Sequence, residues 1–217
     1  MNDSRLFKPN QDRETFVAFE GIDGSGKTTQ AQMLKDYIAN RGIEVVLTCE
    51  PTNGPIGRAI RQAAVSPNPI SPQEETDLFI RDRADHVNNF ILPALKLKQV
   101  VITDRYYLST MAYQGARGLD PEAIRRKNEL FAPFPDLTLL IDIPPAIALQ
   151  RIQARGRHLE KFEMFDFLVR VRDIYLNQVN MGFPGLVLID GRQEPIAVHQ
   201  QVTNLVERLL GLRVRHD

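Results

Sequence analysis

The chain has 217 residues, with 27 basic and 27 acidic side chains and a single cysteine, Cys49. This length is typical of one domain, and a zero net charge argues against a general nucleic-acid binder, which is more often basic. One cysteine excludes a disulfide framework or a cysteine-rich zinc site, and no apolar run reaches the roughly 20 residues that span a bilayer. We therefore expect a protein of the reducing cytoplasm that contacts neither nucleic acid nor membrane.

Residues 1–15 are polar, without apolar periodicity or a secretory h-region, so we expect a flexible tail. Short apolar runs predict five buried strands, at 16–20, 43–48, 99–104, 137–142 and 185–190. Helical apolar spacing predicts helices at 28–41, 56–65, 72–92, 108–115, 121–131, 146–155, 163–181 and 195–210. The alternation indicates an α/β domain at 16–211 with a parallel sheet covered by helices on both faces, and a C-terminal tail at 212–217.

The strongest motif joins the first predicted strand to the first predicted helix. Residues 21–28 read GIDGSGKT, which fits G-x-x-x-x-G-K-[ST]. The glycines let backbone N–H groups face phosphate oxygens beside the positive end of a helix dipole. We expect Lys27 to reach the β- and γ-phosphates of a bound nucleotide and the Thr28 hydroxyl to bind Mg²⁺. A glycine-rich turn without a ligand is the alternative, and the strand–helix context argues against it.

Several of the predicted strands end in an acidic residue, among them Glu20, Asp104 and Asp190. Ligands of parallel sheets bind at the carboxyl ends of the strands. Asp104 is therefore a candidate ligand for Mg²⁺, directly or through water, with a cap on the following turn as the alternative. Arg105 comes next and is placed to hold a second phosphate group.

Five segments, in order, resemble those of the thymidylate kinases, which phosphorylate dTMP. They are FEGIDGSGKTT at 19–29, EP at 50–51 with Gly57 and Arg61, F-x-x-x-R-x-x-H at 79–86, D-R-Y-x-x-S-x-x-x-Y-Q-G at 104–115, and PDLTLLID at 135–142. The similarity extends over about 16–210. The resemblance implies a P-loop NTPase fold with a mobile lid, and a homodimer. It also implies Mg²⁺-assisted transfer of a phosphoryl group from ATP to dTMP, which gives ADP and dTDP for dTTP synthesis.

The resemblance also implies an acceptor site. Asp23 would accept a hydrogen bond from the 3′-hydroxyl, Phe79 would stack on the base, and Arg83 would donate to O4. Arg105 would bind the acceptor phosphate, and Tyr113 would exclude a ribose 2′-hydroxyl. The structural alternatives are that Asp23 only forms a turn, that Phe79 belongs to the core while Arg83 makes a surface ion pair, and that Tyr113 is a half-buried residue of a helix. The acceptor residues are Asp23, Glu50, Phe79, Arg83, Arg105, Ser109, Tyr113 and Gln114.

The ATP site implied by the resemblance combines the phosphate loop with two distant arginines. Its residues are Gly21, Ile22, Asp23, Gly24, Ser25, Gly26, Lys27, Thr28, Thr29, Arg151 and Arg192. The last two would lie near the adenine. The lid would span about 151–163, and because the phosphate loop contains no arginine, Arg155 and Arg157 are the candidate cations for the transferring phosphoryl group. The alternative is that these two arginines belong to a solvated basic face. The candidate catalytic residues are Lys27, Arg105, Arg155 and Arg157.

The chain departs from the family pattern at two positions. Cys49 stands where many members have arginine, which puts acceptor-side electrostatics in question, and Lys161 stands in the lid where many have arginine. Two other functions stay open at this point. One is a kinase of the same fold acting on another nucleoside monophosphate or a deoxynucleoside. The other is a nucleotide-binding regulator without catalysis.

Overall fold

The structure, a computed structural model, describes residues 14–154 and 161–212, with side chains of the second range from residue 164 onward. One sheet contains five parallel strands in the order β2-β3-β1-β4-β5. The strands are β1 (Thr15–Glu20), β2 (Val45–Cys49), β3 (Val100–Asp104), β4 (Leu137–Asp142) and β5 (Leu186–Asp190). The predicted five-stranded parallel sheet is confirmed, and each strand lies within two residues of its expected bounds.

Helices cover both faces of this sheet. Their bounds are α1 (Lys27–Ala39), α2 (Pro55–Ala63), α3 (Pro72–His86), α4 (Leu92–Lys96), α5 (Tyr107–Gly115), α6 (Pro121–Glu129), α7 (Pro145–Gln153), α8 (Lys161–Asn180) and α9 (Pro195–Leu210). Ser71 caps α3 through a capping box with Glu74, in which each side chain bonds the backbone N–H of the other. Because the residues of this cap are only three positions apart, the sequence predicts the first residue of α3 correctly.

A π-helical turn, Val87–Ile91, joins α3 to α4 where the sequence predicts one continuous helix. The Leu92 N–H bonds the Val87 carbonyl five residues back rather than four. Pro93 has no N–H to donate, and its ring would clash with the carbonyl four residues before it in a regular α-helix. The wider turn therefore carries the helix past the proline.

The sheet divides the apolar core into two layers because successive strand residues point to opposite faces. Phe16 and Ala18 of β1 pack with the π-helical turn and α4 to α8 on one face, while Val17 and Phe19 pack with α1 and α9 on the other. All six residues of β1 are buried. This central strand therefore fixes the phosphate loop that follows it.

The strand order reverses at β1, which lies between β3 and β4. Such a reversal opens a crevice at the carboxyl edge of the sheet, where ligands of α/β proteins bind. At the neighbouring strand ends Arg172 pairs with Asp142 at 2.7 Å, and Arg192 pairs with Asp190 at 2.8 Å. These two acids are therefore already paired, whereas Glu20 and Asp104 end the strands that border the crevice.

Several expectations fall outside the described residues. They are most of the N-terminal tail, the lid arginines Arg155 and Arg157, and the last five residues of the C-terminal tail. β1 begins at Thr15, one residue before the boundary expected for the domain. No helix in the part of the chain that the structure describes is both long and apolar enough to cross a bilayer.

Gly21 provides a test of how tightly β1 and β4 pack at the crevice. Its φ is +140°, and a Cβ there would lie 2.4 Å from the Ile141 carbonyl oxygen. We expect Gly21→Ala to lower the free energy of unfolding by about 3 kcal/mol or more, from clash plus backbone strain. Urea unfolding measures this, and Gly26→Ala is the matched control. Gly26 also has a positive φ, +104°, but its Cβ would meet no atom within 4 Å. Equal losses in the two variants would contradict the clash.

Candidate active site

The phosphate loop encloses a small cavity of about 100 Å³ at the start of α1, lined by Asp23, Gly24, Gly26, Lys27, Thr28, Thr29, Asp104 and Arg105. Lys27 is the first residue of α1, and its Nζ donates to the Ile22 carbonyl at 3.0 Å. Burial, reinforced by the charge of Arg105, lowers the pKa of Lys27 to about 8. A buried ammonium beside a helix N-terminus is a site that favours an anion.

Thr28 and Asp104 line the same cavity. The Thr28 Oγ1 donates to Asp104 Oδ2. Asp104 Oδ1 is buried and accepts no hydrogen bond from any residue that the structure describes. A hydroxyl and a carboxylate oxygen are the hard ligands that Mg²⁺ prefers. Within the described ranges no three His, Cys, Asp or Glu side chains are grouped to hold a metal, so phosphate and water oxygens would complete such a site.

Arg105 follows β3 in a left-handed backbone conformation, φ +74°, which residues other than glycine rarely adopt. Its N–H donates to the Phe19 carbonyl of β1 at 2.9 Å. Its guanidinium donates to Ser109 Oγ at 2.9 Å and to Asp23 Oδ1 at 2.5 Å, and also to Tyr113 Oη at 3.2 Å. Backbone strain of this kind, about 1–3 kcal/mol, persists where surrounding contacts fix it. Arg105 is therefore held at both its backbone and its side chain.

The Glu20 carboxylate, at the end of β1, holds the partners of Arg105 in place. Its Oε1 accepts from the N–H groups of Tyr106 and Ser109, at 2.9 and 3.2 Å. Its Oε2 accepts from Ser109 Oγ at 2.5 Å and from Tyr175 Oη at 3.0 Å. Burial raises the pKa of Glu20. Because the Ser109 hydroxyl donates its proton to Glu20, its oxygen is free to accept from Arg105.

A larger cavity of about 450 Å³ adjoins the phosphate loop. All eight residues that the family resemblance places around the acceptor line it: Asp23, Glu50, Phe79, Arg83, Arg105, Ser109, Tyr113 and Gln114. They come from the ends of β1, β2 and β3 and from α3 and α5, elements far apart in sequence. Tyr113 Oη also accepts from the Asp23 N–H at 3.0 Å, and burial raises the pKa of Tyr113 to about 12. Ser109, expected in the sugar and base pocket, is mainly a partner of Glu20 and Arg105.

Arg83 is at the floor of this cavity rather than in a surface pair. Its side chain is 1% exposed, and its Nε and Nη2 donate to Glu50 Oε2 at 2.8 and 2.6 Å. Its Nη1 donates to Asn128 Oδ1 at 2.6 Å and its Nη2 to Thr110 Oγ1 at 3.0 Å. His86 Nδ1 donates to the other Glu50 oxygen at 3.0 Å. These contacts use four of the five guanidinium N–H groups and leave one, on Nη1, for a ligand.

Cys49 is not among the residues that line this 450 Å³ cavity, although Glu50, the next residue, is. Cys49 lines a separate cavity of about 490 Å³ that Thr28, Asp104 and His86 also border, and burial raises the pKa of its thiol. Four arginines line the acceptor cavity, at 61, 83, 105 and 117, against three carboxylates, at 23, 50 and 75. Three arginines pair with those carboxylates, whereas Arg61 donates to the carbonyls of Pro51 and Thr52. One positive charge is therefore in excess, which favours an anionic ligand.

Arg151 contacts backbone carbonyl groups of the phosphate loop. Its Nη1 lies 3.4 Å from two carbonyl oxygens of that loop, and its Nη2 donates to the Gly191 carbonyl at 3.2 Å. Arg192 is exposed and paired with Asp190. The structure thus brings Arg151 to the phosphate loop and leaves Arg192 at the end of β5.

Several residues of the site were missed by the sequence reasoning. Glu20 was noted only as a strand-ending acid, and Tyr175, Glu75 and Arg117 were not singled out at all. Tyr175 meets Glu20 across 155 residues of chain. Glu75 did carry a signal, because it lies one helical turn before Phe79, on the same side of α3.

Comparisons with known proteins agree with this geometry. A family model described as thymidylate kinase matches residues 19–202. A thymidylate kinase of Desulfotalea psychrophila is 42% identical over 197 residues, which are 90% of this chain and 96% of that protein. One of Xanthomonas campestris is 45% identical over 199 residues, covering 92% and 86%. The crystal structure of thymidylate kinase from Ehrlichia chaffeensis superposes with a TM-score of 0.73 at 31% identity, covering 90% of this chain and 99% of that one.

The lowered pKa of Lys27, about 8, predicts a pH dependence of ATP binding. Phosphate binds the ammonium form, which is lost as pH rises through this value, so binding above pH 8 takes up a proton. We expect ATP affinity to fall roughly tenfold from pH 7 to 9. Calorimetry at pH 8.5 in two buffers of different ionisation enthalpy measures the uptake. Lys27→Met is the control, and it should bind ATP more weakly without that proton. Binding by the wild type without proton uptake would contradict the assignment.

Proposed function

The chain belongs to the thymidylate kinase family and catalyses ATP-dependent phosphorylation of dTMP to dTDP. On this premise we propose which of the two cavities binds each substrate and what their residues do. ATP binds with its phosphates on the phosphate loop, in the cavity that contains Lys27. The acceptor, dTMP, binds in the 450 Å³ cavity between α3 and α5.

A single observation carries this division: Asp23 and Arg105 line both cavities. A phosphoryl donor on one side and an acceptor on the other would meet at this pair. Arg105 supplies charge to the acceptor phosphate, while Asp23 keeps that guanidinium oriented and is placed for the acceptor 3′-hydroxyl. Such positioning supplies most of the catalysis in phosphoryl transfer, and no protein nucleophile is required.

Lys27 and Mg²⁺ complete the donor side of the proposal. The Lys27 ammonium, held by the Ile22 carbonyl, stabilises the negative charge on the γ-phosphate in the transition state. Thr28 and the unpartnered Oδ1 of Asp104 support a Mg²⁺ site, with the remaining ligands coming from ATP and water. When bound, Mg²⁺ neutralises charge on the β- and γ-phosphates. Arg155 and Arg157 are the proposed lid cations, and closure of the lid would exclude water.

The acceptor cavity supports recognition of a thymine base and a deoxyribose. Phe79, half-buried on α3, offers an aromatic face to the ring. The free N–H of Arg83 is the proposed donor to O4, and the network of Glu50 and Asn128 keeps that donor fixed. Tyr113, held by Asp23 and Arg105, is the proposed barrier to a 2′-hydroxyl.

We also propose that the enzyme is a cytoplasmic homodimer, as the family resemblance implies. In the same scheme residues 16–211 form the kinase domain, flanked by the two tails. Arg151 and Arg192 are the proposed residues on the adenine side of ATP. Light scattering after gel filtration would measure the mass of the assembly against the 24.7 kDa of one chain.

Acceptor specificity tests this assignment directly. With ATP and Mg²⁺ we expect kcat/KM to fall in the order dTMP, dUMP, then dCMP, UMP and AMP. Cytosine presents an amino group to the Arg83 donor, which costs about 1–3 kcal/mol for an unpaired buried polar group, roughly 5- to 150-fold. Tyr113→Ala should improve UMP relative to dUMP, and Arg83→Ala should weaken dTMP without rescuing UMP. A wild-type preference for CMP, UMP or AMP would contradict the assignment of the cavity.

A further inference from the structure

We propose that Glu75 is a positioning residue that sets base selectivity, by fixing the side-chain amide of Gln114 so that its oxygen faces the acceptor cavity. The inference rests on the proposed binding of dTMP in that cavity. It goes beyond it by naming the residue that orients the Gln114 amide, and so determines whether a base with an N3–H, such as thymine, is favoured over one with an unprotonated N3, such as cytosine.

The observation is a compact set of buried contacts between α3 and α5. Glu75 is 7% exposed and Gln114 is 2% exposed. Gln114 Nε2 donates to Glu75 Oε2 at 2.6 Å, and Arg117 Nη1 donates to the same oxygen at 2.6 Å. All three residues line the acceptor cavity. Arg117 therefore holds the same carboxylate oxygen that Gln114 meets.

Glu75 fixes which end of the Gln114 amide faces it. An ionised carboxylate is only an acceptor, so the amide must turn its NH₂ group toward Glu75. The reverse orientation would place two oxygens against each other and leave the NH₂ unpaired. Gln114 Oε1 is therefore directed away from Glu75. It is buried and has no hydrogen-bond partner among the residues described.

An unpartnered acceptor of this kind calls for a donor from the ligand, because buried polar groups are nearly always hydrogen-bonded. Thymine and uracil carry a donor at N3–H next to the O4 acceptor that the free N–H of Arg83 would meet. Cytosine reverses both positions, with an amino group at C4 and an acceptor at N3. Gln114 Oε1 would then oppose the N3 lone pair, so Glu75 would exclude cytosine through the glutamine.

The test compares kcat/KM for dTMP and dCMP in Glu75→Gln. A glutamine at 75 offers either an oxygen or an NH₂ group, so Gln114 can turn and present a donor to cytosine N3. We expect the dTMP-to-dCMP ratio to fall at least tenfold, with dCMP rising in absolute terms. The ratio of dTMP to dUMP should stay unchanged because both bases carry N3–H, and so should the KM for ATP.

Asp77→Asn is the matched control, since it changes an acid to an amide on the same helix at an exposed position. Its ratio should equal that of the wild type. Should Glu75→Gln lose its native circular dichroism, Glu75→Asp keeps the carboxylate but moves it back, and a fall of about threefold in the same ratio is expected. A folded Glu75 variant with the wild-type ratio, or with dTMP and dCMP reduced equally, would overturn the inference. A wild type inactive on dTMP would instead overturn the proposed acceptor.

Discussion

A buried carboxylate is costly unless hydrogen-bond donors surround it, and the Glu20 side chain at the end of β1 is met by four donors. Two are backbone N–H groups at the start of α5, one is the Ser109 hydroxyl, and one is the Tyr175 hydroxyl of α8. Satisfying this one group therefore fixes how α5 and α8 approach the central strand. These bonds restrict the conformation of the chain between β3 and α5. Arg105, which lies in this connection, adopts a left-handed backbone conformation.

Arg105 links this structural requirement to chemistry. Its guanidinium reaches the phosphate loop through Asp23 and the acceptor cavity through Ser109 and Tyr113. The donor and acceptor cavities consequently share one rigid wall. The wall on the far side of the acceptor cavity is built in the same way, with the carboxylates of Glu50 and Glu75 orienting the groups that would contact the base. Buried carboxylates thus orient the guanidinium and amide groups that are proposed to contact the acceptor.

The sequence predicted features that depend on nearby residues. Short apolar runs located the strands, and the phosphate loop was recognisable because its glycines, lysine and threonine lie within eight residues of chain. The sequence could not show that Arg83 is buried, since its partners Glu50 and Asn128 lie 33 and 45 residues away. Nor could the sequence show that Cys49 lines a different cavity, while Arg61 of α2 adds a positive charge that no carboxylate of the acceptor cavity pairs with. Even Glu75, one turn from Phe79, had no visible role before α3 and α5 were placed side by side.

If Glu20 and Ser109 position Arg105, then Ser109 acts on the acceptor phosphate through Arg105, and a double-mutant cycle measures this coupling. Affinity for dTMP would be determined by calorimetry for the wild type, Ser109→Ala, Arg105→Lys and the double variant. Lysine keeps the charge but cannot reproduce the guanidinium contacts. We expect the two losses to be non-additive by about 1 kcal/mol or more, which is a factor of roughly five in affinity. Additive losses, with Ser109→Ala weakening dTMP binding equally in both backgrounds, would contradict the claim.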